Sequence, residues 1–366
     1  MAPFQPSYLA LHASGELQRR AAALMERMAH CDLCPRDCRV NRLAGGLGLC
    51  LSGSLPIVCS VCDHHGEEPP LSGTRGSGTI FFGNCNMRCV YCQNHQISQD
   101  PRGVLGKEMG CASLARQMLH LQDVVGCHNI NVVSPSHFVP QIVQAVAEAV
   151  PLGLRVPLVY NTGGYDSMET LKLLDGIVDI YLPDIRYASD QAARKYSGVK
   201  QYTAHNRAAI KEMYRQVGNL VTDDEGVAER GLIVRHLILP EGLAGSEASL
   251  EWLATGVSPD VHVSVMSQYY PAHRAARFRE LARRITPAEY QVVVDALDRL
   301  GMENGWVQEL ESPESYRPDF GREGHPFSSP PPTPPSDNRQ VSRPPNPTPP
   351  ARGGKSQTPQ YKPQFP

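Results

Sequence analysis

Between residues 76 and 311, short apolar runs alternate with segments whose apolar residues recur every three or four positions. The runs GTIFF (78–82), INVVS (130–134), PLVYN (157–161), VDIYLP (178–183), GLIVRHLIL (231–239) and VHVSVM (261–266) predict six strands. Helical spacing lies between them. Leu114, Met118, Leu121 and Val125 share one face, and Val139, Ile142, Val143, Val146 and Val150 another. Leu171 and Leu174 mark a shorter helix, and 208–217 and 250–254 mark two more. A last helix over 286–300 opens with Thr286 as N-cap, Pro287 in the first turn and Glu289 three residues after the cap. Six strands alternating with helices imply a parallel sheet. Their nearly unbroken apolar character implies that both faces are covered. A partial barrel and a doubly wound sheet both satisfy the pattern, and both place chemistry at the C-terminal ends of the strands. Polar, glycine and proline residues collect at those ends: Gly83-Asn84-Cys85, Ser134-Pro135-Ser136-His137, Asn161-Thr162-Gly163-Gly164, Pro183-Asp184, Pro240-Glu241 and Ser267-Gln268.

The flanks read differently. Residues 1–29 are expected to be partly helical, with Leu17, Ala21, Leu24 and Met28 available for packing. Residues 30–75 are rich in cysteine and glycine with little periodicity, and hold too few apolar residues for a core of their own. Periodicity is lost again from 312, and residues 326–366 hold 14 of the 32 prolines. Residues 312–366 therefore read as a disordered, proline-rich tail.

Composition narrows the class. Apolar residues make up 41% and charged residues 20%, ordinary values for a globular protein, and a net charge of −2 offers no global field for nucleic acid or anionic membrane. No apolar stretch approaches the ~20 residues that span a bilayer, and the N-terminus lacks a secretory pattern. A cytoplasmic location is expected, without membrane or clear nucleic-acid partners. Eleven cysteines without a secretion signal, most of them clustered, point to metal or cluster ligation rather than disulfides.

The stretch GNCNMRCVYCQNHQIS places Cys85, Cys89 and Cys92 just after the first strand. Thiolates spaced C-x3-C-x2-C on one loop can ligate three irons of a cubane cluster and leave one iron without a side-chain ligand. Zinc is the alternative, with four ligands in structural sites and an open position in catalytic ones. A second group, CDLCPRDCRVNRLAGGLGLC, sets Cys31, Cys34, Cys38 and Cys50 in a spacing that suits zinc or a cluster. Metal would also account for order in so apolar-poor a segment.

The C-x3-C-x2-C loop, with Tyr91 before its last cysteine, resembles the radical S-adenosylmethionine (SAM) signature. GSGTIFFGNCNMRCVYCQNHQIS, NTGGYDS, DIYLPDIRY, VRHLILP, SQYYP and CDLCPRDCRVNR together resemble the pyruvate formate-lyase-activating-enzyme-like (PflX-type) branch, over about residues 30–311. The resemblance implies a partial (β/α)6 TIM-like barrel over 76–311, with the cysteine-rich metal-binding extension at 30–75. It implies a [4Fe–4S] cluster on Cys85, Cys89 and Cys92 whose fourth iron is closed by SAM, with Tyr91 near the adenine. It implies reductive cleavage of SAM to a 5′-deoxyadenosyl radical that abstracts hydrogen from a substrate, an oxidoreductase chemistry. A flavodoxin- or ferredoxin-type electron donor follows from that need, and a glycyl-radical-type partner protein is one candidate substrate. The sequence departs from the pattern at one place: Ser134-Pro135-Ser136-His137 stands where many relatives carry a Gly-Gly-Glu-type motif for the SAM amino group.

Ser134, His137, Asn161, Asp184 and Arg235 are the expected contacts to SAM or substrate. Each has a plainer reading. Asp184 suits a cap, Gly163-Gly164 a turn, and His137 a helix start or the core; Arg235 inside an apolar strand needs an anionic partner. Cys59 and Cys62 form a further C-x-x-C, incidental or metal-linked, while Cys111 and Cys127 read as structural. Glu67-Glu68 reads as a solvated loop or as a lid over the strand ends. A non-catalytic iron–sulfur or zinc protein, acting as electron carrier or interaction module, is the competing class. Some 230 residues of α/β scaffold argue against it.

Overall fold

The computed structural model describes residues 4–310, 318–322 and 325–327. The described chain begins with helices α1 (Tyr8–Ala13) and α2 (Glu16–Glu26), then runs irregularly to β1 (Val58–His64) and the short α3 (Pro69–Ser72). There follow β2 (Ser77–Phe82), α4 (His95–Ser98), α5 (Cys111–His120), β3 (Ile130–Val133), α6 (Val139–Ala149), β4 (Leu158–Thr162), α7 (Met168–Leu174) and β5 (Ile180–Pro183). The chain continues through α8 (Asp190–Ser197), α9 (Tyr202–Val217), β6 (Val221–Thr222), β7 (Ala228–Leu237), α10 (Ser246–Gly256), β8 (His262–Met266), α11 (Pro287–Leu300) and β9 (Gly305–Val307). The expected start of α11 is present as a full capping box, with Thr286 and Glu289 bonding each other's backbone N–H.

The sheet runs β1-β2-β3-β4-β5-β7-β8-β9. From β2 onward along that path every pairing is parallel, while β1 joins β2 antiparallel and β6 forms a ribbon with β7. The parallel part therefore has seven strands where periodicity suggested six. β9 is only three residues long and opens on Gly305 at φ +128°, so it carries almost no pattern. β1 lies inside the cysteine-rich segment that seemed to lack periodicity, because its burial does not alternate cleanly. The helical face expected to extend to Val125 stops at Leu121: Val124 and Val125 are exposed in a widened turn closed by Gly126.

Alternate residues of each strand face different cores. Ile80, Phe82, Val132, Tyr160, Tyr181 and Val234 pack outward in one cluster with the helices. Val159, Ile180, Leu182 and Ile233 point the other way and close on Leu71 of α3. The sheet curves around this inner cluster. β1 and β7 are five steps apart along the sheet, about 24 Å if flat at ordinary strand spacing. Yet Glu67, three residues past β1, lies 3.7 Å from Arg235 on β7. β1 and β9 are the two ends of the hydrogen-bonded path, so the described sheet is open between them.

The N-terminal helices are bound to the outside. Asp179, just before β5, accepts from Ser7 N–H at 2.8 Å and from Leu158 N–H at 3.2 Å. Most of the proline-rich stretch lies outside the described residues. Of its described part, Phe327 is buried and Phe320 is partly buried against the inner face.

Candidate functional site

The three-cysteine loop begins where β2 meets its neighbours too closely for a side chain. A Cβ on Gly83 would lie 2.5 Å from Ile57 and 2.7 Å from Val104. Asn84 follows in the left-handed region at φ +62°, and its side-chain amide donates to the carbonyl of Leu51 at 3.0 Å. That bend turns Cys85, Cys89 and Cys92 off the strand end. Backbone bonds from Arg88 to Ser197 O (3.0 Å) and from Val90 to Tyr196 O (2.8 Å) fix the loop against α8.

Donors converge on the sulfurs. Ser197 Oγ donates to Cys89 Sγ at 2.9 Å, Ser98 Oγ lies 3.2 Å from Cys92 Sγ, and Met87 N–H lies 3.4 Å from Cys85 Sγ. Burial, then the neighbouring thiols, push Cys85 up to about 12 and Cys92 to about 11, while Arg186 acts in the opposite sense on both. Cationic metal is what would hold such thiols as thiolates. The guanidinium of Arg186 is tied to Asp184, and its Nε is buried without a partner. Sulfur-directed donors, a nearby cation and three free thiols fit thiolate ligation of a cluster. Among the described residues no three Cys, His, Asp or Glu groups stand close enough to share a single metal ion.

Tyr91 is buried, with its ring edge-on to Tyr269 at 5.8 Å. Its hydroxyl lies 2.6 Å from that of Tyr187, which lies 2.7 Å from Ser197 Oγ. A hydroxyl has one proton to give. Since Ser197 donates to sulfur, Tyr187 donates to Ser197 and Tyr91 to Tyr187.

The other expected contacts divide into two groups. Arg235, Asp184 and Asn161 come together: Arg235 Nε donates to Asp184 Oδ1 at 2.9 Å and Nη2 to Asn161 Oδ1 at 2.6 Å. Burial works against the Arg235 charge, but Asp184, Glu68 and Glu67 outweigh it and raise its pKa. Ser134 stands nearby at φ +58°, its N–H bonded to Asn161 O at 2.9 Å. His137 stands apart. Its Nε2–H donates to Gly83 O at 3.0 Å, and burial holds it neutral with its pKa lowered to about 3. It supports the cysteine loop from behind. Ser136 bonds Thr162 at 3.1 Å. Gly163 and Gly164 do more than turn the chain. A Cβ on Gly163 would meet Met87 Sδ at 2.7 Å, and one on Gly164, at φ +72°, would meet Asp184 O at 2.3 Å. They let the ends of β4 and β5 approach the cysteine loop.

One functional feature escaped the sequence, and another resolves between its two readings. Arg186 lay in view in DIYLPDIRY, two residues after Asp184, where i and i+2 share a face of an extended chain. Glu67 and Glu68 are not solvated: their loop turns inward, Glu68 is buried, and its Oε2 has no partner. Burial raises the Glu68 carboxyl to about 7, against the pull of Arg235.

The four-cysteine segment is folded against this site. Cys31 N–H bonds Val40 O, Arg39 N–H bonds Cys31 O and Asp37 N–H bonds Cys34 O, each at 3.0 Å. Asp37, Arg39 and Leu51 take positive φ, and Gly48 lies against Cys38, where a Cβ would be 2.6 Å from Sγ. Cys34 is within electrostatic reach of Cys50, Cys31 and Cys38. Buried Arg42 donates to His137 O at 2.6 Å and to Gly53 O, and Arg36 Nε donates to Asn86 O at 2.8 Å. Cys59 and Cys62 pack within β1. Burial raises Cys59 to about 11 and Cys62 to about 12, and Cys62 is within electrostatic reach of Cys127. Cys127 is buried before β3 and Cys111 opens α5.

No family model matches the chain. An uncharacterized protein of Methanocaldococcus jannaschii is 28% identical over 284 residues, 75% of this chain and 76% of that protein. A radical SAM methyltransferase from Sphaerobacter thermophilus aligns with a TM-score of 0.41 and 12% identity, over 63% of this chain and 66% of that one. Streptococcus suis SuiB bound to its precursor peptide SuiA aligns with a TM-score of 0.42 and 8% identity, over 62% and 47%. This chain thus spans under two thirds of either solved structure. Likenesses so distant carry no argument, and the functional reading rests on the residues. No helix among the described residues is long and apolar enough to cross a membrane.

Proposed function

We propose that this chain is a radical SAM enzyme, with Cys85, Cys89 and Cys92 holding a [4Fe–4S] cluster at the end of β2. The observation that carries the reading is the set of polar groups at those three sulfurs: Ser197 and Met87 donate, and Ser98 Oγ lies within hydrogen-bond reach. When bound and reduced, such a cluster together with SAM supplies a 5′-deoxyadenosyl radical that abstracts hydrogen from a substrate. The chain's own part is positioning and electrostatics. The Tyr91–Tyr187–Ser197 chain delivers a hydrogen bond to Cys89. Arg186 supplies positive charge beside the thiolates. Arg235, fixed by Asp184 and Asn161, presents a rigid cationic bar on the inner face, suited to a carboxylate or to ribose and amide oxygens. Ser134 and Asn161 supply neutral donors and acceptors in place of a Gly-Gly-Glu carboxylate.

The quoted segments support the finer assignment to the pyruvate formate-lyase-activating-enzyme-like branch, with oxidoreductase chemistry and a flavodoxin- or ferredoxin-type donor. We assign Cys31, Cys34, Cys38 and Cys50 to a second metal centre. Their C-x2-C-x3-C spacing with a later cysteine suits zinc or a cluster, and we take the centre as iron–sulfur.

Electron paramagnetic resonance of the anaerobically reconstituted, dithionite-reduced protein tests the reading. Adding SAM should change the cluster signal, because SAM closes the iron that lacks a side chain. A signal unaltered by saturating SAM overturns it.

A further inference from the structure

The inner face of β1 and β2 carries an aromatic slot that none of the expected chemistry uses. Phe81 on β2 forms its wall, with Cys62, Ile97 and Val133 around it. His64 at the end of β1 forms its floor. Burial, against the pull of Glu68, lowers the His64 pKa to about 4, so the ring is neutral and free to stack.

Two residues from beyond β9 fill the slot. Phe327 stacks on His64 with ring centroids 3.9 Å apart and an interplanar angle of 11°, and Phe320 meets Phe81 edge-on at 5.1 Å. The remaining recognition combines one main-chain donor of the segment with two of its side chains. Gln96 Oε1 accepts from Phe320 N–H at 2.9 Å, while its Nε2 donates to Asp319 Oδ1 at 3.0 Å. His325 Nε2 donates to the Asp63 carbonyl at 2.7 Å, and Asp319 N–H bonds Pro326 O at 2.7 Å. Gln96 is four residues past Cys92, so the slot adjoins the three-cysteine loop. It also lies beside β1, one edge of the described sheet.

Pockets for side chains combined with hydrogen bonds to the chain are a common way for proteins to bind an extended peptide. We propose that this slot is a polypeptide-binding site, held in cis by the segment carrying Phe320 and Phe327, and that a polypeptide presenting phenyl side chains enters by displacing that segment. The partner carries a basic or histidine side chain near one phenyl, because Asp63 lies 3.6 Å from His325. This gives the proposed enzyme's substrate a chemical class and, to that extent, rests on that reading.

The test uses the full chain with Phe320→Ala and Phe327→Ala together, and a fluorescein-labelled peptide of sequence PDFGREGHPF, that of residues 318–327. Anisotropy should show saturable binding to the double variant at least about ten-fold tighter than to the native chain, since the native slot is mostly occupied. The same peptide with both phenylalanines replaced by alanine should not bind. A Phe327→Ala chain, whose slot is intact, should also bind the peptide better than the native chain, and it stands in if the double variant fails to fold. Equal binding to native and variant chains, or no binding to either folded variant, overturns the proposal. SAM cleavage is measured on the same samples. Cleavage without peptide binding sinks the docking site alone, and peptide binding without cleavage sinks the radical reading alone.

Discussion

Ser197 Oγ, at the end of α8, donates a hydrogen bond to Cys89 Sγ at 2.9 Å. That bond is the last in a one-way chain of hydroxyl protons running from Tyr91 through Tyr187. It joins the aromatic of the cysteine signature to a sulfur that signature carries. Hydrogen bonds to cluster sulfurs help set reduction potential. Ser197→Ala should therefore lower the potential of the reconstituted cluster. A redox titration followed by electron paramagnetic resonance checks it, and an unshifted potential would mean that the bond serves packing alone. Tyr187→Phe should cost about 1–3 kcal/mol in chemical denaturation, because it leaves the buried Tyr91 hydroxyl without its acceptor.

Arg235 is a structural keystone as well as a candidate ligand contact. Removing it leaves Asn161, Glu67 and Glu68 without their cation, and Asp184 with Arg186 alone. Arg235→Met should destabilise the fold by about 3–5 kcal/mol, the usual result of breaking one side of a buried ion pair. Urea denaturation of the apoprotein measures it. A loss below about 1 kcal/mol would place the guanidinium in solvent rather than inside the sheet.

Glu68 makes stability depend on pH in a defined direction. Its folded carboxyl titrates near 7, against a usual 4.5. A raised carboxyl favours the fold in its protonated form. That contribution is complete below about 4.5 and is lost as pH rises to about 7. Asp179, raised to about 6 by burial, acts in the same sense, so the comparison must be with a variant. Glu68→Gln should flatten the fall in unfolding free energy between pH 5 and 7.5 relative to the native chain. Parallel curves would remove Glu68 from the account.

The two thiol groups predict separable metal contents. Reconstituted native protein should carry about eight irons per chain, two [4Fe–4S] clusters. Joint replacement of Cys85, Cys89 and Cys92 by alanine should leave about four, and so should replacement of Cys31, Cys34, Cys38 and Cys50. Zinc in place of the second iron set would correct the identity of that centre. No metal there in a folded protein would abolish it.

The sequence displayed the strands and the cysteine loop clearly, because GTIFF and its counterparts are buried on both faces and three thiols in eight positions have few other uses. Its silence elsewhere has physical causes. β9 is too short for a period. Glu67 and Glu68 look like surface charge, and only the curvature of the sheet, a long-range property, brings Arg235 to them. Arg186 is one charged residue among many until the loop folds beside it. Phe320 and Phe327 are lone aromatics in a proline-rich stretch, and their burial depends on a slot made by β1 and β2, far away along the chain. His137 stands at the strand end expected for a ligand contact, where its Nε2 is engaged by Gly83 O.

The central claim is that Cys85, Cys89 and Cys92 support reductive cleavage of SAM. The direct measurement is 5′-deoxyadenosine formed by the anaerobically reconstituted chain with dithionite and SAM, beside single alanine variants at the three cysteines. The account predicts product from the native chain and none from any of the three variants. No product from a native chain with its cluster intact, or undiminished product from a variant, would contradict it.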